Sequence, residues 1–274
     1  MTKNGIDISY ANNTYSKIDF KQVKAATDFC IIRVGYRGYG DGTLKEDAWW
    51  KYNLNGCIER GIPFGVYFFT QAITAEEAKE EALFTLERLR GLEVDYPIYI
   101  DTEESGHRQN LGRADNLDPI TRTDCVKAFC KTIEEAGYYA GIYCSEAWMN
   151  NKLIKDDLKA HDFWIANWNR KPAIPCGMWQ YSAKGTCNGI KGFVDVNKSF
   201  KDYPAIMKNN NLNGYTAGEI VWQVTVWGLT DEEYDEVCQW LKEKDFPHDD
   251  KKIEVCQWLK EEDFPHDDKK VREE

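Results

Sequence analysis

The sequence predicts an α/β fold: an irregular β/α barrel of eight strands with helices missing from its later crossovers, followed by a small C-terminal α/β or helical module. Three observations point there. Eight short segments rich in β-branched and aromatic residues punctuate the first two hundred of 274 residues. Helical patterns separate the first five, the rhythm of parallel strands joined by right-handed crossovers. The last three lie about ten residues apart, too close for full helical crossovers, so loops join them and an antiparallel strand becomes admissible. An open doubly wound sheet is the alternative arrangement of the same elements.

In chain order, strands are expected near 4–9, 29–35, 62–69, 97–103, 139–143, 163–166, 177–181 and 192–196. Asp19 is placed to cap a helix reaching about residue 26, and Glu46 to Arg60 reads as a second. Thr74-Ala-Glu-Glu77 is a capping box opening a third helix to Arg90. A fourth runs from Thr121 to Ala136 and stops at Gly137, and a short fifth starts at Ser145. The expected domains are a catalytic barrel over 1–207, a polar linker over 208–214 and a module over 215–274. In that module Glu236 to Ile253 recurs as Glu254 to Val271 with two changes, Lys244/Glu262 and Ile253/Val271, a tandem repeat of 18 residues.

The net charge of −11 is concentrated in the tail: residues 231–274 carry 17 acids against 8 bases and leave the body nearly neutral. A nucleic-acid partner would need a basic footprint and is not expected. The nine cysteines form no Cys-x-x-Cys and the four histidines are scattered, so reduced buried thiols, no metal and no cofactor are expected. No apolar run approaches the roughly 20 residues of a membrane span, and Met-Thr-Lys-Asn-Gly leads into a strand without an apolar signal core. Synthesis in a cytoplasm, without membrane insertion, is the expectation.

The chemistry lies in the acids. In Pro97-Ile98-Tyr99-Ile100-Asp101-Thr102-Glu103, strand geometry turns residues 99, 101 and 103 to one face and Ile98 and Ile100 to the other. Asp7 lies on the first strand and Asp195 on the eighth, which become neighbours when the barrel closes. An isolated aspartate at a strand end is more often a cap or a turn ligand. Four carboxyls converging on the mouth of one barrel are another matter, because mutual repulsion raises at least one pKa and a glycosidase needs an acid that holds its proton near neutrality.

Taken in order, Gly5-Ile6-Asp7-Ile8-Ser9, Ile31-Ile32-Arg33-Val34-Gly35-Tyr36, Gly65-Val66-Tyr67-Phe68-Phe69, Tyr99-Ile100-Asp101-Thr102-Glu103, Gly141-Ile142-Tyr143-Cys144-Ser145, Trp164-Ile165-Ala166-Asn167-Trp168 and Trp179-Gln180-Tyr181-Ser182 resemble the successive strands of family 25 glycoside hydrolases, lysozymes with a TIM-like barrel. The resemblance covers about residues 3–204. It implies a muramidase that cuts the β-1,4 bond from N-acetylmuramic acid to N-acetylglucosamine in peptidoglycan. Glu103 matches the proton donor. Asp101 matches the residue that assists as nucleophile or by orienting the substrate acetamido group, and Asp7 and Asp195 match two further acids lining the cleft. A phage endolysin acting on the wall after release is the expected setting; a bacterial autolysin, or a carbohydrate-binding protein on a silent barrel, are the alternatives.

Sugar rings stack on aromatic faces, so Tyr67, Tyr143, Trp168 and Tyr181 are candidate substrate contacts. Arg33 is a fifth candidate, either touching substrate or holding one of the acids ionised. Phe68 stands where many relatives carry His, which suggests altered subsite preference. Residues 104–119 read as a polar rim loop. The module over 215–274 is expected to bind a cell-wall polymer, and Trp240 and Trp258 in its repeat suggest a homodimer.

Overall fold

A computed structural model gives the fold for residues 2–105 and 111–216, and everything below concerns these residues. The module and its repeat, with the wall-binding and dimer expectations, lie outside them. Nine strands are present: β1 (Lys3–Ile8), β2 (Phe29–Arg37), β3 (Leu44–Glu46), β4 (Phe64–Phe69), β5 (Ile98–Asp101), β6 (Ala140–Ser145), β7 (Asp162–Ala166), β8 (Met178–Gly185) and β9 (Val194–Ser199). The sheet order is β1-β9-β8-β7-β6-β5-β4-β2-β3, and β1 also pairs with β2. Eight strands therefore close a barrel, and β3 folds back on the overhanging end of β2 as a hairpin.

Closure is mixed in direction. β1, β2 and β4 to β8 run parallel, whereas β9 runs antiparallel to both β8 and β1. Only residues 186–193 join β8 to β9, a length that permits a hairpin and forbids a crossover. β7 and β8 stay parallel although residues 167–177 hold no helix.

The helices follow their caps. Asp19 accepts from the Lys21 and Gln22 amides at the start of α1 (Phe20–Ala26). Thr74 accepts from the Glu77 amide to open α3 (Ala75–Leu89), whose buried residues Ala78, Glu81, Ala82, Thr85 and Leu89 form one helical stripe. α2 (Trp50–Arg60) starts four residues later than expected because Glu46 is taken into β3, and it ends at Gly61 in the left-handed region, φ 59°. α4 (Pro119–Glu135) starts earlier because Asp118 is a better cap than Thr121 and Pro119 suits the first turn. α5 (Glu146–Lys152) begins after Ser145 as expected; α6 (Lys155–Leu158), α7 (Tyr203–Asn209) and a 3-10 turn over Tyr10–Asn13 are too short to leave a periodic signal.

Two buried layers result. An aliphatic layer between strands and helices holds Ile6, Ile8, Ile32, Val34, Val66, Phe68, Ile98, Ile100, Ile142 and Ile165. The barrel interior is aromatic instead: Phe29, Tyr96, Tyr99, Tyr143, Trp164 and Tyr203 fill it. Glycine makes the room. A Cβ on Gly5 would fall 2.2 Å from the Phe29 ring, and one on Gly141 2.4 Å from the Tyr99 ring. Interior packing at near-crystalline density leaves no slack for either.

The polar run 208–214, which reads as a linker, is built into the barrel floor. Asn213 is fully buried, with φ 57°; its amide donates to the Val94 and Tyr96 carbonyls at 3.0 and 2.8 Å, and its Oδ1 accepts from the Tyr139 amide at 2.6 Å. Tyr215 then donates to Asp95 at 2.8 Å, so the barrel unit runs past the expected boundary at 207. Polarity misled here because the one buried residue of the run, Asn213, directs its side chain to backbone groups at the foot of the barrel rather than to water.

Candidate active site

The strand period delivers the acids as expected. Tyr99 and Asp101 face the interior while Ile98 and Ile100 face the helices, and Asp7, Asp101 and Tyr143 are nearly fully buried. Asp195 reaches the same mouth by an unexpected route. It lies at the start of an antiparallel strand rather than the end of a parallel one, and the β1/β9 register sets it directly opposite Asp7. Side-chain alternation is indifferent to strand direction, so the expected face holds for the antiparallel sense that the short connections had left open.

Burial and crowding raise every pKa in the group. Glu103 is pushed up to about 7, first by desolvation and then by the Asp195 charge. Asp195 is raised to about 6 by desolvation, against a hydrogen bond with Asp7. Two carboxyls bond to one another only by sharing a proton. Asp7 and Asp101 lie well above the usual carboxylate range because they are buried, Asp7 then feeling Asp195 and Asp101 feeling Glu103. Among the described residues, Asp101 Oδ1 is buried with no hydrogen-bond partner.

Polar residues absent from the predicted set hold Asp7. Its Oδ2 accepts from Gln180 Nε2 at 3.0 Å and from Asn197 Nδ2 at 2.8 Å. Asn197 Oδ1 accepts from Trp164 Nε1 at 2.8 Å, and Gln180 Oε1 accepts from Tyr143 Oη at 3.0 Å and Trp168 Nε1 at 3.1 Å. Asn197 was legible as the residue two beyond Asp195; Gln180 carried only the alternation of its own strand.

The proposed substrate contacts divide. Tyr67 lies among the acids, its hydroxyl raised well above its ordinary pKa by burial, with Arg33, Asp7, Asp101 and Asp195 as charged neighbours. Tyr143 packs against Trp164 with centroids 4.4 Å apart and ring planes tilted by 58°. Trp168 presents a ring that is 60% exposed while its N–H is tied down at Gln180. Tyr181 does not join them: a β-bulge follows Gln180, and Tyr181 packs with Trp179 and under Lys198 on the outer face of β8. Phe68 also points outward, fully buried edge-on to Phe84, so the ring there has no path to a subsite and the expectation of altered preference is corrected.

Arg33 pairs with buried Asp47 at 2.7 Å and lies over the Tyr10 and Tyr36 rings at 4.9 and 5.4 Å. It is thus bonded to Asp47 rather than to a cleft acid, although its charge still lowers the Asp101 pKa. The rim loop is anchored at its base. Asp115 accepts from the Ser105 amide and hydroxyl and from the Gly112 amide, and the Ala114 amide donates to Gln71 at 3.1 Å. Among the described residues no group of three or more His, Cys, Asp or Glu side chains is arranged to hold a metal ion.

Chemically, the site pairs an acid that keeps its proton to near neutrality with a buried carboxyl whose Oδ1 has no hydrogen-bond partner among the described residues. The sequence model of glycosyl hydrolases family 25 matches residues 6–190. "Autolytic lysozyme" of Clostridium acetobutylicum is 26% identical over 197 residues, covering 71% of this chain and 55% of that protein. "Lysozyme M1" of Streptomyces globisporus is 26% identical over 212 residues, 71% of this chain and 66% of its own. The structure of the modular autolysin LytC from Streptococcus pneumoniae superposes with a TM-score of 0.61 at 28% identity over 73% of this chain, which spans 47% of LytC.

Proposed function

The chain belongs to glycosyl hydrolases family 25, and on that footing we propose that it is a muramidase that hydrolyses the β-1,4 bond between N-acetylmuramic acid and N-acetylglucosamine in peptidoglycan. The observation that carries the reading is Glu103, a carboxyl held protonated up to about pH 7 beside three other acids. It donates its proton to the glycosidic oxygen as the bond breaks. Asp101, two residues before Glu103, orients the acetamido group of the sugar so that its oxygen turns toward the anomeric carbon for internal attack. Asp7 and Asp195 hold one proton between them and keep the charge under Glu103 high. Trp168 stacks on a sugar face at the mouth. The names of the lysozyme relatives, and of LytC in complex with a synthetic peptidoglycan ligand, support this substrate class.

Mass spectrometry of fragments released from purified Gram-positive walls tests it. Muramic acid at the new reducing end is the expected product; glucosamine there, or release of peptides alone, would overturn the assignment. Phage lysis and bacterial autolysis would use the same chemistry. We assign wall attachment to the acidic stretch after residue 216, tested by comparing the binding of wall sacculi by the full chain and by one ending at 216.

A further inference from the structure

Resting on the muramidase reading, we propose that Gln180 is a positioning residue that couples a sugar ring seated on Trp168 to the orientation of the Asp7 carboxyl. Gln180 is 3% exposed and spans the distance from mouth to acid pair with a single side chain. Its Oε1 accepts from Trp168 Nε1 at 3.1 Å and from Tyr143 Oη at 3.0 Å, and its Nε2 donates to Asp7 Oδ2 at 3.0 Å.

The chemistry of the partners removes any ambiguity about which way the amide points. An indole N–H can only donate, so the Gln180 oxygen must face Trp168 and the NH2 must face Asp7. The same logic fixes Asn197, whose oxygen is held by the Trp164 indole and whose NH2 therefore faces Asp7. Two indoles thus impose, through two amides, a pair of donors on one oxygen. Asp7 Oδ2 is left free of protons, so a proton on this carboxyl resides on Oδ1, away from both amides. Of these two supports, Asn197 ends on a fully buried ring and is fixed, whereas Gln180 ends on a ring that is 60% exposed and open to a ligand. A ring that shifts when a sugar stacks on it moves the amide, and the amide moves the carboxyl. The groups facing Asp7 from the packed elements are Asp195, Glu103, Asp101, Tyr67, Tyr143 and the Cys30 thiol, so a change at Asp7 is felt throughout the acid group.

The test uses the full chain with Gln180→Met, Trp168→Phe and Trp168→Ala, read as kcat, KM and pH profile on a soluble glycan fragment. Gln180→Met keeps the volume and removes all three side-chain hydrogen bonds; kcat is expected to fall about tenfold or more with KM little changed, and the acidic limb of the profile to move to higher pH, because a carboxylate that loses a donor is easier to protonate. Trp168→Phe keeps the stacking face and removes the N–H, and should lower kcat with KM unchanged. Trp168→Ala should raise KM as well. Wild-type kcat and pH limbs in both Gln180→Met and Trp168→Phe would overturn the proposal while leaving the muramidase reading intact. If the parent chain cuts no glycan, that reading fails on its own, and the proposal is still decided by the Asp7 carboxyl carbon resonance followed across pH. An upward displacement of its titration in Gln180→Met supports the coupling, and identical curves overturn it. Trp168→Phe alters an exposed ring and carries the same measurement should the Met variant not fold.

Discussion

Asp7 and Asp195 face each other across the β1/β9 seam, two carboxyls in direct register on antiparallel strands. Burial is the larger cause of the raised Glu103 pKa and the Asp195 charge adds to it, so the seam tunes the pH at which the acid works. Asp195→Asn is expected to shift the basic limb of kcat/KM to lower pH, since Glu103 then loses its proton more easily. A pH profile of reducing-end release measures this, and an unmoved limb would contradict the coupling.

Glu103→Gln should lower turnover by about a thousandfold, in the range general acid catalysis contributes, and leave the fold intact. Far-ultraviolet circular dichroism and wall turbidity check the two halves; a loss of only a few fold would place the acid elsewhere.

The same residue predicts a pH dependence of stability. A carboxyl whose folded pKa lies above its unfolded value binds its proton more tightly when folded, so stability is full below the unfolded value and declines as pH rises toward the folded one. For Glu103 that window runs from its ordinary 4.5 to about 7. Asp7, Asp101 and Asp195 are raised in the same direction. The melting temperature should therefore rise on acidification from neutral pH towards 5, and Glu103→Gln should be the more stable protein at neutral pH, by up to about 3 kcal/mol. Thermal melts of both proteins over that range decide it; a parent that is most stable at pH 7 would refute the linkage.

Phe68→His places a polar ring in the layer between strands and helices, away from the cleft. It should destabilise by about 1–3 kcal/mol, because a polar ring replaces an apolar one at a fully buried site. KM and kcat per folded molecule should not change. A shift in substrate preference would show that the ring reaches the cleft after all.

Asn213→Ala removes three side-chain hydrogen bonds from the barrel floor and should cost about 2–4 kcal/mol, measured by urea denaturation. Ending the chain at 207 should cost more than ending it at 216, which keeps the floor complete.

What could be read beforehand followed from periodicity. Alternation assigned Ile98, Tyr99, Ile100 and Asp101 to their faces, although the strand stops at Asp101 and Glu103 lies beyond it, and the caps Asp19, Thr74 and Ser145 began helices where expected. What escaped depended on partners remote in sequence. Leu44–Glu46 is a strand only because the end of β2 overhangs the barrel to receive it. Tyr181 looked like a platform, but alternation beside inward-facing Gln180 puts it on the outer face with Trp179 and Lys198. Gln180 itself gave no signal, since an amide becomes a relay only when an indole, a phenol and a carboxyl meet around it.

The reversed run of β9 also decides where this scaffold tolerates novelty. Its link to β8 over residues 186–193 is a hairpin that opens at the mouth, immediately before Asp195. Cys187 and Ile190 of this turn are buried and the Gly189 carbonyl accepts from the Asp19 amide at 2.8 Å, so its first half is fixed to the core. New residues grafted beside exposed Phe193 would land next to the acid cleft, which makes the second half of this short connection the natural place to build a changed appetite for decorated substrates.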